Sequence, residues 1–166
     1  TMEENGMSHF LEHMFFKGTE RRSYQQIAQE IDNMGAQANA FTSKELTCYY
    51  IQSIDEKVPQ ALDILLDMFC HSVFPEKEIQ KEKGVILEEI AMSQDSPDDL
   101  LHDKLAETFF TGTPLSKTIL GPAENIRRFT RDDVLAYQKK HYHAENIVVA
   151  IAGNYQKQQI QAQLEE

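Results

Sequence analysis

The stretch Gly6-Met7-Ser8-His9-Phe10-Leu11-Glu12-His13-Met14 sets His-x-x-Glu-His in an apolar, helix-forming context. Residues four apart stack on one face of an α-helix, so His9 and His13 project side by side, with Glu12 at the edge of that face. Two imidazoles and a carboxylate so placed can hold a divalent cation with a base beside it. Zinc suits the set best, because borderline-soft Zn²⁺ takes imidazole and carboxylate readily. Such a helix must pack through Phe10, Leu11 and Met14 and turn its polar trio toward a cleft. A lone His on an apolar helix face is usually a hydrogen-bonded core residue. Two in register around a Glu, in a chain with six His, point instead to a metal site.

The 166 residues predict one domain or a piece of one, and a 41% hydrophobic content can fill a core. A net charge of −11 argues against nucleic acid as a partner; most of it reads as plain solubility, and its field could favour basic substrates. No apolar run approaches the length of a membrane span, and no signal peptide is visible, so no membrane partner is expected. Cys48 and Cys70 are too few for a disulfide scaffold and fall in core-like segments. They are expected to be reduced, in keeping with a cytoplasmic setting. Thr1 to Asn5 lead almost directly into the His-bearing helix with no strand before it, so the expectation is a segment of a larger protein.

Further along, Lys17-Gly18-Thr19 ends the first helix, and Ser23 caps a second from Tyr24 to Met34, closed by Gly35. Ala36 to Thr42 reads as a strand of small alternating residues, and Leu46 to Ile54, rich in aromatic and β-branched residues, as a stronger one. The short link Ser43-Lys44-Glu45 predicts an antiparallel hairpin. Helices are expected from Val58 to Cys70, from Pro75 as first residue to about Ser93, after Ser96-Pro97-Asp98, and from Asp132 to near His141. Asn146 to Gly153 is a continuous apolar run and predicts a central strand; the polar tail from Gln156 is helix-prone.

The helix from Pro75 holds a second constellation. On a wheel of 100° per residue, Ile79, Val85, Ile86 and Ile90 fall within about 80° of Glu82 and define a buried stripe. Glu82 and Glu89 lie inside that stripe, whereas Glu88 falls outside it beside Lys81 and Gly84. Burying two carboxylates without partners costs several kcal/mol each, so a cation should face them. Lys, Arg or a metal held by His9 and His13 would each serve.

His-x-x-Glu-His is the reverse-order zincin signature. Over nearly its whole length the chain resembles the pitrilysin/insulinase superfamily of metallopeptidases, and most of all bacterial processing proteases related to the mitochondrial processing peptidase β subunit. The residues that carry the resemblance are Gly6 to Thr19, Asn39-Ala40-Phe41-Thr42 and Glu82 to Glu89; it continues through Pro114-Leu115, Ile119-Leu120-Gly121 and Ala152-Gly153-Asn154. The family places a ligand Glu 76 positions after the second His, which is Glu89 here.

The resemblance implies one Zn²⁺ held by His9, His13 and Glu89, with a water in the fourth position. It makes Glu12 the general base that takes the water's proton, and Glu82 a carboxylate that orients a ligand His. Asn39, Ala40 and Phe41 would form a strand edge to which an extended peptide adds. Family members have about two more strands ahead of the site helix and a second half-domain, so a truncated half-domain is expected. The loop Thr113-Pro114-Leu115-Ser116 departs from the His-Pro-Leu-Gly of relatives.

Residues 1–166 are therefore read as a single partial catalytic domain of α+β class, a mainly antiparallel sheet covered by helices. The expected activity is zinc-dependent endopeptidase action on short or unfolded polypeptides. The expected partners are that substrate and the remaining half-domain, with a homodimer admitted, and the expected setting is a bacterial cytoplasm. Two other readings are a non-catalytic partner subunit of a processing-peptidase-like complex and a structural zinc module. The complete ligand set counts against the former. The absence of ligand spacing between the cysteines and the histidines counts against the latter.

Overall fold

A computed structural model describes residues 2–165. Its elements run α1 (Met7–Phe15), α2 (Tyr24–Asn33), β1 (Gln37–Thr42), β2 (Thr47–Gln52), α3 (Val58–His71), α4 (Glu76–Asp95), α5 (Pro97–Phe109), α6 (Ala123–Arg128), α7 (Arg131–His141) and α8 (Lys157–Glu165). Short 3-10 turns precede α3 and interrupt the loops after α5 and α7. Among the described residues the strands form one antiparallel hairpin, with Ala40 opposite Tyr49 and Thr42 opposite Thr47. The class is α+β, a small antiparallel sheet covered by helices.

α1 is the element around which the others pack. Phe10, Leu11, Met14 and Phe15 are fully buried, and the helix lies against α4, α7 and both strands. Phe15 sits in an aromatic cluster, with ring centroids 5.1 Å from Tyr49, 5.0 Å from Phe69, 5.6 Å from Phe74 and 5.3 Å from Tyr142. The stripe of α4 that meets this core is Ile79, Glu82, Ile86 and Ile90. Burying so large an aromatic and aliphatic set is the main stabilising term.

The entry to α1 is fixed by a backbone crossing that only glycine permits. Gly6 has φ +96°, and a Cβ there would stand 2.6 Å from the carbonyl oxygen of Leu120 and 3.2 Å from Cα of Gly121. Side chains tie the same crossing. Asn5 Nδ2 donates to the Thr118 carbonyl at 2.8 Å, and Asn125 Nδ2 donates to the carbonyls of Met2 and Asn5 at 2.9 and 3.0 Å. The segment Ile119-Leu120-Gly121 thus sets the direction from which the His-bearing helix starts.

The caps follow local chemistry. Ser23 and Gln26 form a reciprocal capping box at α2, Thr130 and Asp133 form another at α7, and Ser96 accepts from the Asp99 amide at α5. Pro75 stands one residue outside its helix, as the cap of α4 rather than its first residue, and the helix continues to Asp95.

Other expectations fail too, among them that Glu89 is buried in the α4 stripe: its side chain is 37% exposed. The apolar run 146–153 forms no strand among the described residues, and Val148 is 91% exposed. A strand needs a neighbour's amides and carbonyls, and the described residues place none beside it. Val85 is exposed at the rim of the α4 stripe, so that stripe is narrower than the wheel drew it. Cys70 is exposed rather than core-like, and both cysteines are unpaired. Among the described residues, no helix is long and apolar enough to cross a membrane.

Candidate metal centre

Because Phe10, Leu11 and Met14 are drawn into the core, α1 presents His9, Glu12 and His13 on its opposite side. The two imidazoles are neighbours, with ring centroids 4.7 Å apart. α4 crosses this face, its apolar stripe against the core, and brings Glu82 and Glu89 to the histidines while Glu88 points to solvent.

Glu89 Oε2 lies 3.6 Å from His9 Nε2 and 3.7 Å from His13 Nε2. These separations are too long for hydrogen bonds. They are close to the spacing of about 3.3–3.4 Å between atoms that each stand about 2 Å from one tetrahedral cation. One ligand atom from each of His9, His13 and Glu89 lies within 4.8 Å of the other two. The donor set, two imidazole nitrogens and one carboxylate oxygen, fits a zinc ion with a position left open. The His9-x-x-Glu12-His13 motif and this triad match the active-site pattern of the inverted zincins.

The far side of His13 is held firmly. Its Nδ1 is 3.0 Å from Glu82 Oε2, which selects the ring orientation that aims Nε2 at Glu89. Glu82 is 5% exposed, and its second oxygen receives Lys17 Nζ at 2.7 Å. His9 has no such anchor: its Nδ1 is buried without a hydrogen-bond partner among the described residues.

The electrostatics differ accordingly. Burial, and then the neighbouring His13, hold His9 below the ordinary histidine range. Burial works against the His13 cation as well. The Glu82 hydrogen bond and the charges of Glu89, Glu82 and Glu12 nevertheless hold His13 above its ordinary value. Burial would raise Glu82, but hydrogen bonds from His13 and Lys17 keep its carboxyl below the usual range.

Glu12 joins the site to the hairpin, accepting a short hydrogen bond from the Thr42 hydroxyl. Thr42 Oγ1 also lies 3.3 Å from Thr47 Oγ1 on β2. β1 alternates, with Ala38, Ala40 and Thr42 turned inward and Gln37, Asn39 and Phe41 exposed. Asn39, Ala40 and Phe41 therefore stand on the strand leading to the site and outside the triad. Asn39 also lines a groove between α2 and the hairpin, of ≈ 560 Å³, with Tyr24, Ile27, Ile31, Ala38 and Tyr50. Glu82, grouped with Glu12 as a residue of the catalytic machinery that orients a ligand His, sits behind His13 on its Nδ1 side, as a positioning residue would.

Two side chains here were given no role from sequence. Lys17 follows His13 by four residues, so helical spacing alone puts it over the same face. Thr42 shares the parity of Ala38 and Ala40 along β1, which predicts that it faces inward.

Residues 1–123 match the family profile described as Insulinase (Peptidase family M16), and residues 128–166 match one described as Peptidase M16 inactive domain. The uncharacterized zinc protease YmxG of Bacillus subtilis is 49% identical over 154 residues, 93% of this chain and 38% of that protein. The human mitochondrial-processing peptidase subunit beta is 44% identical over 151 residues, 91% of this chain and 31% of that protein. The chain thus spans less than two-fifths of these relatives' length. Among solved structures, a protease from Helicobacter pylori shares the fold with a TM-score of 0.83 at 24% identity, over 88% of this chain and 35% of that one.

Proposed function

The chain belongs to the insulinase family, peptidase family M16, and from that premise we propose that it supplies the metal centre of a zinc-dependent endopeptidase acting on short or unfolded polypeptides. One observation carries this reading above the others. Glu89, on a helix 76 residues beyond His13, stands at nearly equal distances from both Nε2 atoms without bonding to either. One ligand atom from each of the three side chains lies within 4.8 Å of the other two, a spacing that one cation can bridge.

His9, His13 and Glu89 would hold one zinc ion. When bound, the metal lowers the pKa of a water toward about 7 and polarises the peptide carbonyl as a Lewis acid. The chain's own residues do the rest. Glu12, one position before His13, takes the proton of the attacking water and passes it to the departing amine. Thr42 holds one of its oxygens. Glu82 keeps the His13 ring in the orientation that points Nε2 at the site. An extended polypeptide lying along β1, past Asn39, Ala40 and Phe41, would pair with the strand's outer edge, displacing the Asn39 Oδ1 that accepts from the Ala40 amide, and meet the site at Thr42. The length of the relatives supports a further half-domain as the partner that closes over the substrate.

The test is metal content and cleavage together, on the protein at its natural length. One zinc per chain is expected, with hydrolysis of an unfolded fluorogenic polypeptide that chelator abolishes and zinc restores. Zinc without hydrolysis would mark a structural site. Hydrolysis indifferent to chelator would remove the metal from the chemistry.

A further inference from the structure

We propose that Lys17 is a positioning residue of the metal centre, acting on His13 through Glu82; the inference rests on the zinc reading above. Lys17 lies just past the end of α1, where its amide still bonds the Met14 carbonyl at 3.1 Å, so the chain keeps a helical turn and Lys17 stays over His13. The two side chains divide one carboxylate between them. His13 Nδ1 takes Glu82 Oε2 at 3.0 Å, and Lys17 Nζ takes Oε1 at 2.7 Å.

Two consequences follow from that division. The terminal torsion of a glutamate is broad and two-fold, so a carboxylate held at one oxygen can rotate, whereas one held at both has its plane fixed. The His13 ring inherits that fixed plane through its Nδ1–H bond. The second consequence is charge. A histidine serving as a metal ligand is neutral, so it gives Glu82 a hydrogen bond but no countercharge. Among the described residues, the cationic groups within 4.0 Å of Glu82 are His13 and Lys17. With His13 neutral, Lys17 alone offsets a carboxylate whose side chain is 7% exposed. Leaving such an acid unpaired is costly, and it would relax by turning away from His13. That movement removes the acceptor that aims the ring. Lys17 makes no ion pair with Glu89 or Glu12 among the described residues, so its action on the centre passes through Glu82.

Zinc affinity, measured by competition with a chromophoric chelator on the protein at its natural length, tests this without relying on turnover. Lys17→Met is expected to weaken zinc binding by about tenfold, the lower end of what outer partners of ligand histidines contribute. Lys17→Arg, which keeps the charge, should stay near the parent. In a Glu82→Gln background, Lys17→Met should change affinity no further. An unchanged affinity in Lys17→Met, or a full additional loss in the double variant, would overturn the proposal while leaving the zinc site intact. Should Lys17→Met not fold, Lys17→Gln carries the same expectation; failure of both to fold assigns Lys17 to the fold and overturns it. If the parent binds no zinc, or His9→Ala binds as well as the parent, the zinc reading itself falls.

Discussion

Two buried acids, Asp67 on α3 and Glu82 on α4, draw their partners from the same short stretch, residues 13–22, and use them differently. Asp67 accepts the Thr19 hydroxyl at 2.7 Å and Arg22 Nη1 at 2.8 Å, and Arg22 also reaches Asp63 and Glu30. The second oxygen, Oδ1, faces Arg21 Nε at 3.7 Å and His71 Nδ1 at 3.1 Å, so the charges of that cluster are set against one another. Glu82 binds His13 and Lys17, but His13 has a second nitrogen, and that nitrogen faces Glu89 across a gap that no direct bond fills. An acid whose partners turn only to other members of its own cluster or to solvent is a clamp between α3 and the turn after α1. An acid whose partner turns a second atom toward another carboxylate is support for a site. Burial alone does not separate the two, since both carboxylates are inaccessible.

The contrast sorts side chains into those whose loss costs the fold and those whose loss costs the chemistry. The largest expected effect is Glu12→Gln. A positioned general base contributes about 10²- to 10⁴-fold, so turnover should fall by that order while zinc content and melting temperature stay near the parent. Retained cleavage would strip Glu12 of its role. A collapse in melting temperature would place it with the clamp.

Asp67→Ala should do the reverse. Removing one partner of a buried ion pair costs about 3–5 kcal/mol, read as a lower melting temperature, with the zinc affinity of the folded fraction unaltered. Its acid dependence has a definite sign. Burial would raise the Asp67 carboxyl, but hydrogen bonds from Arg22 and Thr19 and the charges of Arg22 and Arg21 hold it below its ordinary value. A lowered folded-state pKa gives stability that is complete above the ordinary carboxylate range and is lost as pH falls toward the lowered value. The parent should therefore lose stability through that acid window, and Asp67→Ala should lose less. Parallel acid profiles in the two proteins would contradict the clamp.

Glu82→Gln is expected to fall between them in kind and below them in size. It keeps the shape and an acceptor oxygen but loses the charge that holds Lys17, so zinc affinity should drop about ten- to a hundredfold. The melting temperature of the metal-free protein should move less than in Asp67→Ala. A large stability loss with unchanged affinity would make Glu82 a second clamp and erase the contrast.

Much of the site was legible because it is written in helical spacing. Four residues put His9 beside His13, and the wheel of α4 selected Glu89 over Glu88; both rest on one local period, although Glu89 stands at the edge of the buried stripe, its side chain 37% exposed, rather than inside it. The caps at Ser23, Ser96 and Thr130 were legible for the same reason, since a cap acts within three residues of itself. The Asp67 clamp was not, because Asp67 and its partners Thr19 and Arg22 are more than forty residues apart and no local period joins them. Nor was the fate of residues 147–152. Apolar content records a need for burial, but a strand forms only where another strand presents its hydrogen-bonding edge. Val85 misled in a third way: a helical wheel assigns a face by angle, and the width of that face depends on which neighbours arrive.

The smallest expected effect concerns a third acid, Glu12, whose partner lies on the hairpin. Thr42 donates its hydroxyl to Glu12, and Thr47 on the paired strand stands within reach of the same hydroxyl, so the base is held from the side along which substrate would enter. A single net hydrogen bond contributes about 1 kcal/mol, so Thr42→Val should lower kcat by roughly fivefold. Thr42→Ser, which keeps the hydroxyl, should restore most of it. The split between constants decides what the hydroxyl does. A fall in kcat at constant KM, with zinc affinity unchanged, means that it orients the base. A rise in KM at constant kcat would mean that Thr42 belongs to the strand that receives the polypeptide. Its bond to Glu12 would then be a feature of the free protein alone. The valine is β-branched and suits the strand, so lost stability is not expected to obscure the result.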